Sequence, residues 1–268
     1  MHPELFTIGP FTLRSFGLML ALGFLAAFLA LRVLLRGTGR NSDYASTLLV
    51  WCMAAGVAGA RIAYVMEHWS TQFRDDPGTI FRIDQGGLMY YGGMIGALLA
   101  LFLFARIHRE HVLDVLDQTA GVLPLGQAFG RIGCFLNGCC YGRLCDSFGV
   151  AFPRGSAPWY EQVRTLAIGP DTLQSLPVVP VQLLESAGCA LLFLFLWGLH
   201  RKKRRGLVTG AYLVGYGPLR FALEFLRGDE RLMLGAFSIG QTISLAAILA
   251  GIVLLAVSLA ATRDEAKP

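Results

Sequence analysis

The sequence predicts an all-α polytopic membrane protein: one integral domain over residues 1–268, seven transmembrane helices, the N-terminus outside and the C-terminus cytoplasmic. Three observations predict it. Apolar residues make up 54% of the chain and charged residues 15%, against about 25% charged in a soluble domain, so the chain lacks the charge to cover a water-facing surface. Seven apolar segments approach the length needed to cross about 30 Å of hydrocarbon. The charges between those segments alternate between basic and acidic or balanced, as alternate sides of a membrane require.

The segments fall near 15–35, 44–66, 86–107, 112–133, 178–199, 206–226 and 235–260. The first lacks a basic leader and a small-residue cleavage site, and its arginines follow the apolar run, so it reads as a retained span. Arg32, Arg36 and Arg40 follow segment one. Glu67, Asp75, Asp76 and Asp84, against Arg74 and Arg82, follow segment two. Arg106, His108, Arg109 and His111 follow segment three. The run His200 to Arg205 follows segment five, and the balanced Arg227, Asp229, Glu230 and Arg231 follow segment six. Basic loops are cytoplasmic, which leaves the one longer loop, about 134–177, outside. Its Trp159–Tyr160 pair is expected at the headgroup level. The net charge of +5 is thus a topology signal, and no nucleic-acid partner is expected.

An ionisable residue inside a span costs several kcal/mol unless it is paired or wet. Arg61, Arg131, Glu185, Arg220 and Glu224 meet that description. Arg220 and Glu224, four apart, share a helix face and can pair; Arg227 continues the stripe. Three arginines on separate spans outnumber two glutamates, and surplus guanidinium in a bundle points to a lipid phosphate, which arginine binds bidentately. The stretch Gly86 to Gly93 opens segment three with paired glycines around Tyr90 and Tyr91. Such glycines allow close approach of a lipid or a peptide backbone, and Tyr91 becomes a site candidate.

Arg131 also lies in G-Q-A-F-G-R-I-G-C-F-L-N-G-C-C-Y-G, residues 126–142. Cys134, Cys139, Cys140 and Cys145 fall within twelve residues, while Cys52 and Cys189 sit in apolar spans as packing. The C-x2-C knuckle of zinc sites is missing, so no metal and no cofactor are expected. A disulfide stapling the external loop is the leading reading of the cluster, with Cys139–Cys145 one pairing among several. A nucleophilic cysteine is the alternative.

These motifs, in order, resemble the prolipoprotein diacylglyceryl transferases, bacterial inner-membrane enzymes. Gly9 to Gly17, Gly59 to Val65, Gly86 to Gly96, Gly130 to Gly142, the P-x-Q-L-x-E element at 180–185 and R-x3-E-x2-R at 220–227 carry the resemblance over nearly the whole chain. It implies diacylglyceryl transfer from phosphatidylglycerol to the lipobox cysteine thiol of a preprolipoprotein, releasing glycerol 1-phosphate, in a multi-pass protein among membrane lipids. By the same resemblance Arg131, Arg220, Glu224 and Tyr91 would be catalytic. Arg61, Gly92, Gly93, Asn137, Gly142, Gln182, Glu185 and Arg227 would bind substrate. The chain departs from the family pattern at Phe16 (usually tyrosine), Tyr91 (usually histidine), Cys134 (usually asparagine), Val179 (usually histidine) and Leu184 (usually tyrosine). Its histidines, His2, His68, His108, His111 and His200, all lie outside the expected spans. The competing readings are a divergent paralogue that binds or transports anionic phospholipid without transfer, and a thiol oxidoreductase.

Overall fold

The computed structural model describes residues 4–8, 11–36, 38–41, 43–74, 76–82, 86–202, 204–229 and 233–265. His2, Gly9, Asp75, Asp84, Lys203, Glu230 and Arg231 lie outside the described residues. Among those described, seven helices run 18 residues or longer, one at each apolar segment. They are α1 (Ser15–Leu34), α2 (Tyr44–Glu67), α3 (Tyr90–Ile107), α4 (Val112–Asn137), α6 (Val181–Leu199), α7 (Leu207–Glu224) and α8 (Ile239–Glu265); the eight-residue α5 (Ala157–Arg164) lies in the long loop. Five of the seven, α1, α2, α3, α6 and α8, are long and apolar enough to cross a membrane. In α7 the low hydropathy comes from Arg220, Glu224, Pro218 and three glycines, and in α4 from Asp114, Asp117 and Arg131. Large apolar side chains such as Leu25, Leu29, Leu194, Leu249 and Val253 are exposed, as lipid-facing surfaces require. Two short hairpins accompany the helices: β1 (Glu4–Ile8) with β2 (Phe11–Arg14), and β3 (Met233–Leu234) with β4 (Phe237–Ser238).

The chain divides into two compact units, Met1–Ala30 with Asp117–Pro268, and Leu31–Leu116. In the second unit α2 packs along α3. A Cβ on Gly59 would stand 2.4 Å from the Gly92 carbonyl oxygen, and one on Gly96 only 2.2 Å from that of Ala55. Small residues four apart on both helices (Gly59 and Ala63; Gly92 and Gly96) let the two backbones touch, the usual route to tight helix pairs in lipid.

In the first unit α7 packs on α8 and α6, and α1 lies on α4, where Gly133 meets Phe16 and Met19. The start of α7 has Gly206 at the cap position, with φ +77° and no side chain to serve the helix N-terminus. Asp117 of α4 supplies the missing acceptor: its buried carboxylate takes the Gly206 N–H (2.7 Å), the Thr209 N–H (2.7 Å) and the Thr209 hydroxyl (2.6 Å). Removing it strands buried donors at about 1–3 kcal/mol for the group. Asp117→Ala is therefore expected to lower the thermal midpoint of the detergent-solubilised protein, with Asp117→Asn falling between it and the parent.

The loop after α4 is folded. Phe152, Tyr141 and Val178 form a buried cluster with Phe135 and Val150. Trp159 is buried on α5 and donates its indole N–H to the Thr172 carbonyl (2.9 Å). Of the pair expected at the headgroups, only Tyr160 is exposed; Trp159 is spent on the loop's own core.

Candidate active site

Tyr216, Arg220 and Glu224 occur every fourth residue on α7 and so form one row, about 5.4 Å per turn. At the lower end of the row, the Tyr216 hydroxyl donates to Glu185 Oε1 (2.8 Å), and the same oxygen is 3.0 Å from Arg131 Nη2. This ties α4, α6 and α7 together through one carboxylate. Glu185 is 5% exposed and Arg131 22%. At the upper end Arg220 Nη1 lies 2.5 Å from Glu224 Oε2, with the side chains 16% and 3% exposed. The Ser238 hydroxyl donates to the second oxygen, Glu224 Oε1 (2.7 Å).

Ser238 is held for that task by its own helix. In S-I-G-Q, residues 238–241, the Ser238 N–H donates to Gln241 Oε1 (3.0 Å) and the Gln241 N–H to Ser238 Oγ (3.1 Å). This is a capping box at the start of α8. Gly240 inside it leaves room for the ion pair: a Cβ there would stand 3.2 Å from Glu224 Oε1 and 3.3 Å from Arg220 Nη2.

The sequence expected arginines in excess. In this unit Arg131 and Arg220 each have a glutamate partner instead, so the charge of each guanidinium is balanced. The pairs use one nitrogen of each arginine, and a guanidinium has five N–H donors. The exposed fraction of Arg131 is where a ligand oxygen would reach it.

The backbone of the 141–144 segment runs between two others. The Gly142 N–H donates to the Val179 carbonyl (3.0 Å) and the Val179 N–H to the Arg143 carbonyl (2.9 Å). On the other side the Arg143 N–H donates to the Leu226 carbonyl (2.8 Å) and the Gly228 N–H to the Tyr141 carbonyl (3.1 Å). The segment thereby clamps the entry of α6, which carries Gln182 and Glu185, to the exit of α7, which carries Arg220 and Glu224. Gln182, 1% exposed, donates from Nε2 to the Cys139 carbonyl (2.8 Å). Arg227 pairs with Asp229 through both Nε and Nη2. Burial pulls the Arg227 guanidinium down, but Asp229 more than offsets it, so the group is held charged. Asn137 ends α4, exposed, and its amide reaches the Cys139 thiol.

Seven of the predicted catalytic and substrate-binding positions beyond Arg131 thus fall in this unit: Asn137, Gly142, Gln182, Glu185, Arg220, Glu224 and Arg227. The other four, Arg61, Tyr91, Gly92 and Gly93, belong to the second unit. There Arg61 donates Nε to Ile80 O (2.7 Å), Nη1 to Gly86 O (3.0 Å) and Gly87 O (2.9 Å), and Nη2 to Thr79 O (2.8 Å) and Arg82 O (3.1 Å). All five hydrogen bonds go to backbone carbonyls between α2 and α3, two of them in the single 3-10 turn Pro77–Phe81. Gly92 and Gly93 face α2: the nearest atoms to their added Cβ are Ala63 Cβ and the Gly56 carbonyl oxygen. Tyr91, the second residue of α3, is exposed, its ring edge-on to Tyr90.

All six cysteines are free thiols. The Cys139–Cys145 staple is not formed: Cys145 Sγ lies 3.4 Å from Ser147 Oγ, whereas Cys139 faces Cys134 and Cys140. Sequence reasoning missed Tyr216, Ser238 and Gln241. The four-residue spacing of Tyr216 from Arg220 and the S-x-x-Q pattern were the available signals.

The sequence profile of the prolipoprotein diacylglyceryl transferases matches residues 3–257. The chain is similar to the phosphatidylglycerol–prolipoprotein diacylglyceryl transferase of Pseudoalteromonas atlantica, at 39% identity over 265 residues, 95% of this chain and 88% of the relative. It is 36% identical to that of Vibrio cholerae over 263 residues (95% and 90%). The Escherichia fergusonii relative is 35% identical over 269 residues (94% and 91%).

Proposed function

Because this chain belongs to the prolipoprotein diacylglyceryl transferase family, we propose that it transfers diacylglyceryl from phosphatidylglycerol to a lipobox cysteine thiol of a preprolipoprotein. The observation that carries the reading is the row on α7 that links two buried arginine–carboxylate pairs. Two guanidinium groups, Arg131 on α4 and Arg220 on α7, tied together through Glu185, Tyr216 and Glu224, suit a phospholipid phosphate.

In the reaction the acceptor thiol gives up its proton to water and its sulfur forms a bond to the terminal carbon of the diacylglyceryl group. The C–O bond to phosphate breaks, and the leaving oxygen takes the electron pair, giving glycerol 1-phosphate and a thioether. Charge grows on the phosphate as that bond breaks. Arg131 and Arg220 stabilise it with donors already oriented by Glu185 and Glu224, so little reorganisation is needed at the transition state. Gln182 and Gly142 fix the pocket wall, Asn137 borders it, and Arg227 adds positive charge. In the second unit Tyr91 keeps the role that the family resemblance implies, while Arg61 holds the 79–87 loop and Gly92 and Gly93 let the start of α3 pack on α2.

Seven spans, N-terminus outside and C-terminus inside, in a bacterial inner membrane complete the proposal; the alternating loop charges support it. The test is complementation in cells depleted of their own enzyme, followed by glycerol phosphate release from phosphatidylglycerol with a lipobox peptide. The parent is expected to restore lipoprotein modification and Arg131→Ala to abolish it. Phosphatidylglycerol binding without any release would instead favour a lipid-binding paralogue.

A further inference from the structure

The transfer proposed above assigns no role to Cys134, Cys139 or Cys140, yet their three sulfurs lie within 4.8 Å of one another. Cys134 projects from the last turn of α4, and the other two from the loop that follows. Nothing in their spacing requires this convergence; the backbone produces it. Gly138 has φ +74° and Cys140 φ +60°. The left-handed conformation at Cys140 costs a non-glycine residue about 1–2 kcal/mol, and it turns the Cys140 side chain back toward Cys134. The neighbouring Cys139 N–H donates to the Cys134 carbonyl (3.1 Å), and buried Gln182 holds the Cys139 carbonyl, so the loop is fixed on both sides.

We propose that these three cysteines form a thiolate site for a soft d10 cation of the Zn(II), Cd(II) or Cu(I) class. Three considerations carry the assignment. Sulfurs bound tetrahedrally at about 2.3 Å from one ion stand about 3.8 Å apart, so thiol rotations of about 1 Å close the triad. Soft thiolate ligands select this class of ion over Mg(II) or Ca(II). The surroundings also suit concentrated negative charge: both Arg227 and Arg131 act electrostatically on Cys140. Binding would release a proton from each thiol still protonated, and a water would complete the tetrahedron. An odd number of convergent thiols also fits a metal better than a disulfide, which would leave one sulfur over. The absence of a C-x2-C knuckle hid the site, because the ligand spacing is set by a helix end and a left-handed residue.

The full chain in detergent micelles, reduced and stripped with a chelator, is titrated with Cd(II) while the ultraviolet sulfur-to-cadmium band is followed. Saturation at one equivalent is expected. Cys134→Ser, Cys139→Ser and Cys140→Ser should each weaken binding by about tenfold or more, since losing even an outer-shell partner costs about 10–100-fold. Cys145→Ser should leave it unchanged. On the parent protein, alkylation provides a readout that needs no variant: Cd(II) should protect the three triad thiols together while Cys145 still reacts. The proposal is overturned if the triad variants bind as the parent does, if Cd(II) fails to protect the three thiols, or if protein extracted without reductant carries a disulfide between two of them.

Discussion

Arg220→Ala is expected to reduce glycerol phosphate release by about 10²–10³-fold, the usual cost of losing one oriented donor to a charge that grows in the transition state. The variant has a second effect that must be separated from the first. Glu224 is 3% exposed and, without Arg220, would lose its ion-pair partner on α7 while the Ser238 hydroxyl remains. Stranding a buried charge in this way costs about 3–5 kcal/mol, so the single variant should also melt earlier in detergent. Arg220→Ala combined with Glu224→Gln removes the stranded charge, and stability should recover while turnover does not. Arg220→Lys should stay near the alanine level, because an ammonium cannot make the planar bidentate contact with phosphate. Turnover that returned with stability in the double variant would mean that Arg220 only balances Glu224. Phosphatidylglycerol saturation and thermal midpoint, measured on the same preparations, distinguish the two outcomes.

Much of this architecture is legible in the sequence because hydrophobicity is a one-dimensional signal. Each of the seven apolar segments became a long helix, with ends displaced by a few residues, and the Arg220–Glu224 pair follows from helical spacing alone. The charges within apolar segments were found because such charges are expensive in a membrane, whatever the fold does with them. Partner choice was less legible. Arg131 and Glu185 are 54 residues apart, and nothing local says that α6 faces α4. Arg61 is the clearest case. Its charge was visible, but that its donors end on the carbonyls of residues 79–87 depends on loop conformation, which has no periodic signal. The hairpin at Glu4–Arg14 and the folded loop around Phe152 were missed for the same reason: short irregular elements are fixed by turns and by packing rather than by pattern.

The three-stranded clamp at Gly142 has consequences that the ion pairs do not. A Cβ at this position would stand 2.6 Å from both the Val179 Cβ and the Val179 carbonyl oxygen, and 2.8 Å from the Leu226 carbonyl oxygen. Two of those atoms are backbone, so no side chain can rotate away; the strands themselves must part. Gly228 is as tightly placed from the other side, 2.5 Å from the Gly142 carbonyl oxygen. Overpacking costs about 1–3 kcal/mol, and each of the four hydrogen bonds that hold the segment adds about 1 kcal/mol when broken. Gly142→Ala is therefore expected to lower the thermal midpoint in detergent and to abolish complementation, since α6 and α7 would no longer present Glu185 and Arg220 at fixed heights. Gly198→Ala is the matched control: no atom lies within 4 Å of its added Cβ, and within a helix alanine gains about 1 kcal/mol over glycine. It should keep activity and melt no earlier than the parent. A Gly142→Ala protein with parental stability and turnover would show that the clamp yields without moving the two helices, and that the Tyr216–Arg220–Glu224 row on α7 is held by its side chains alone.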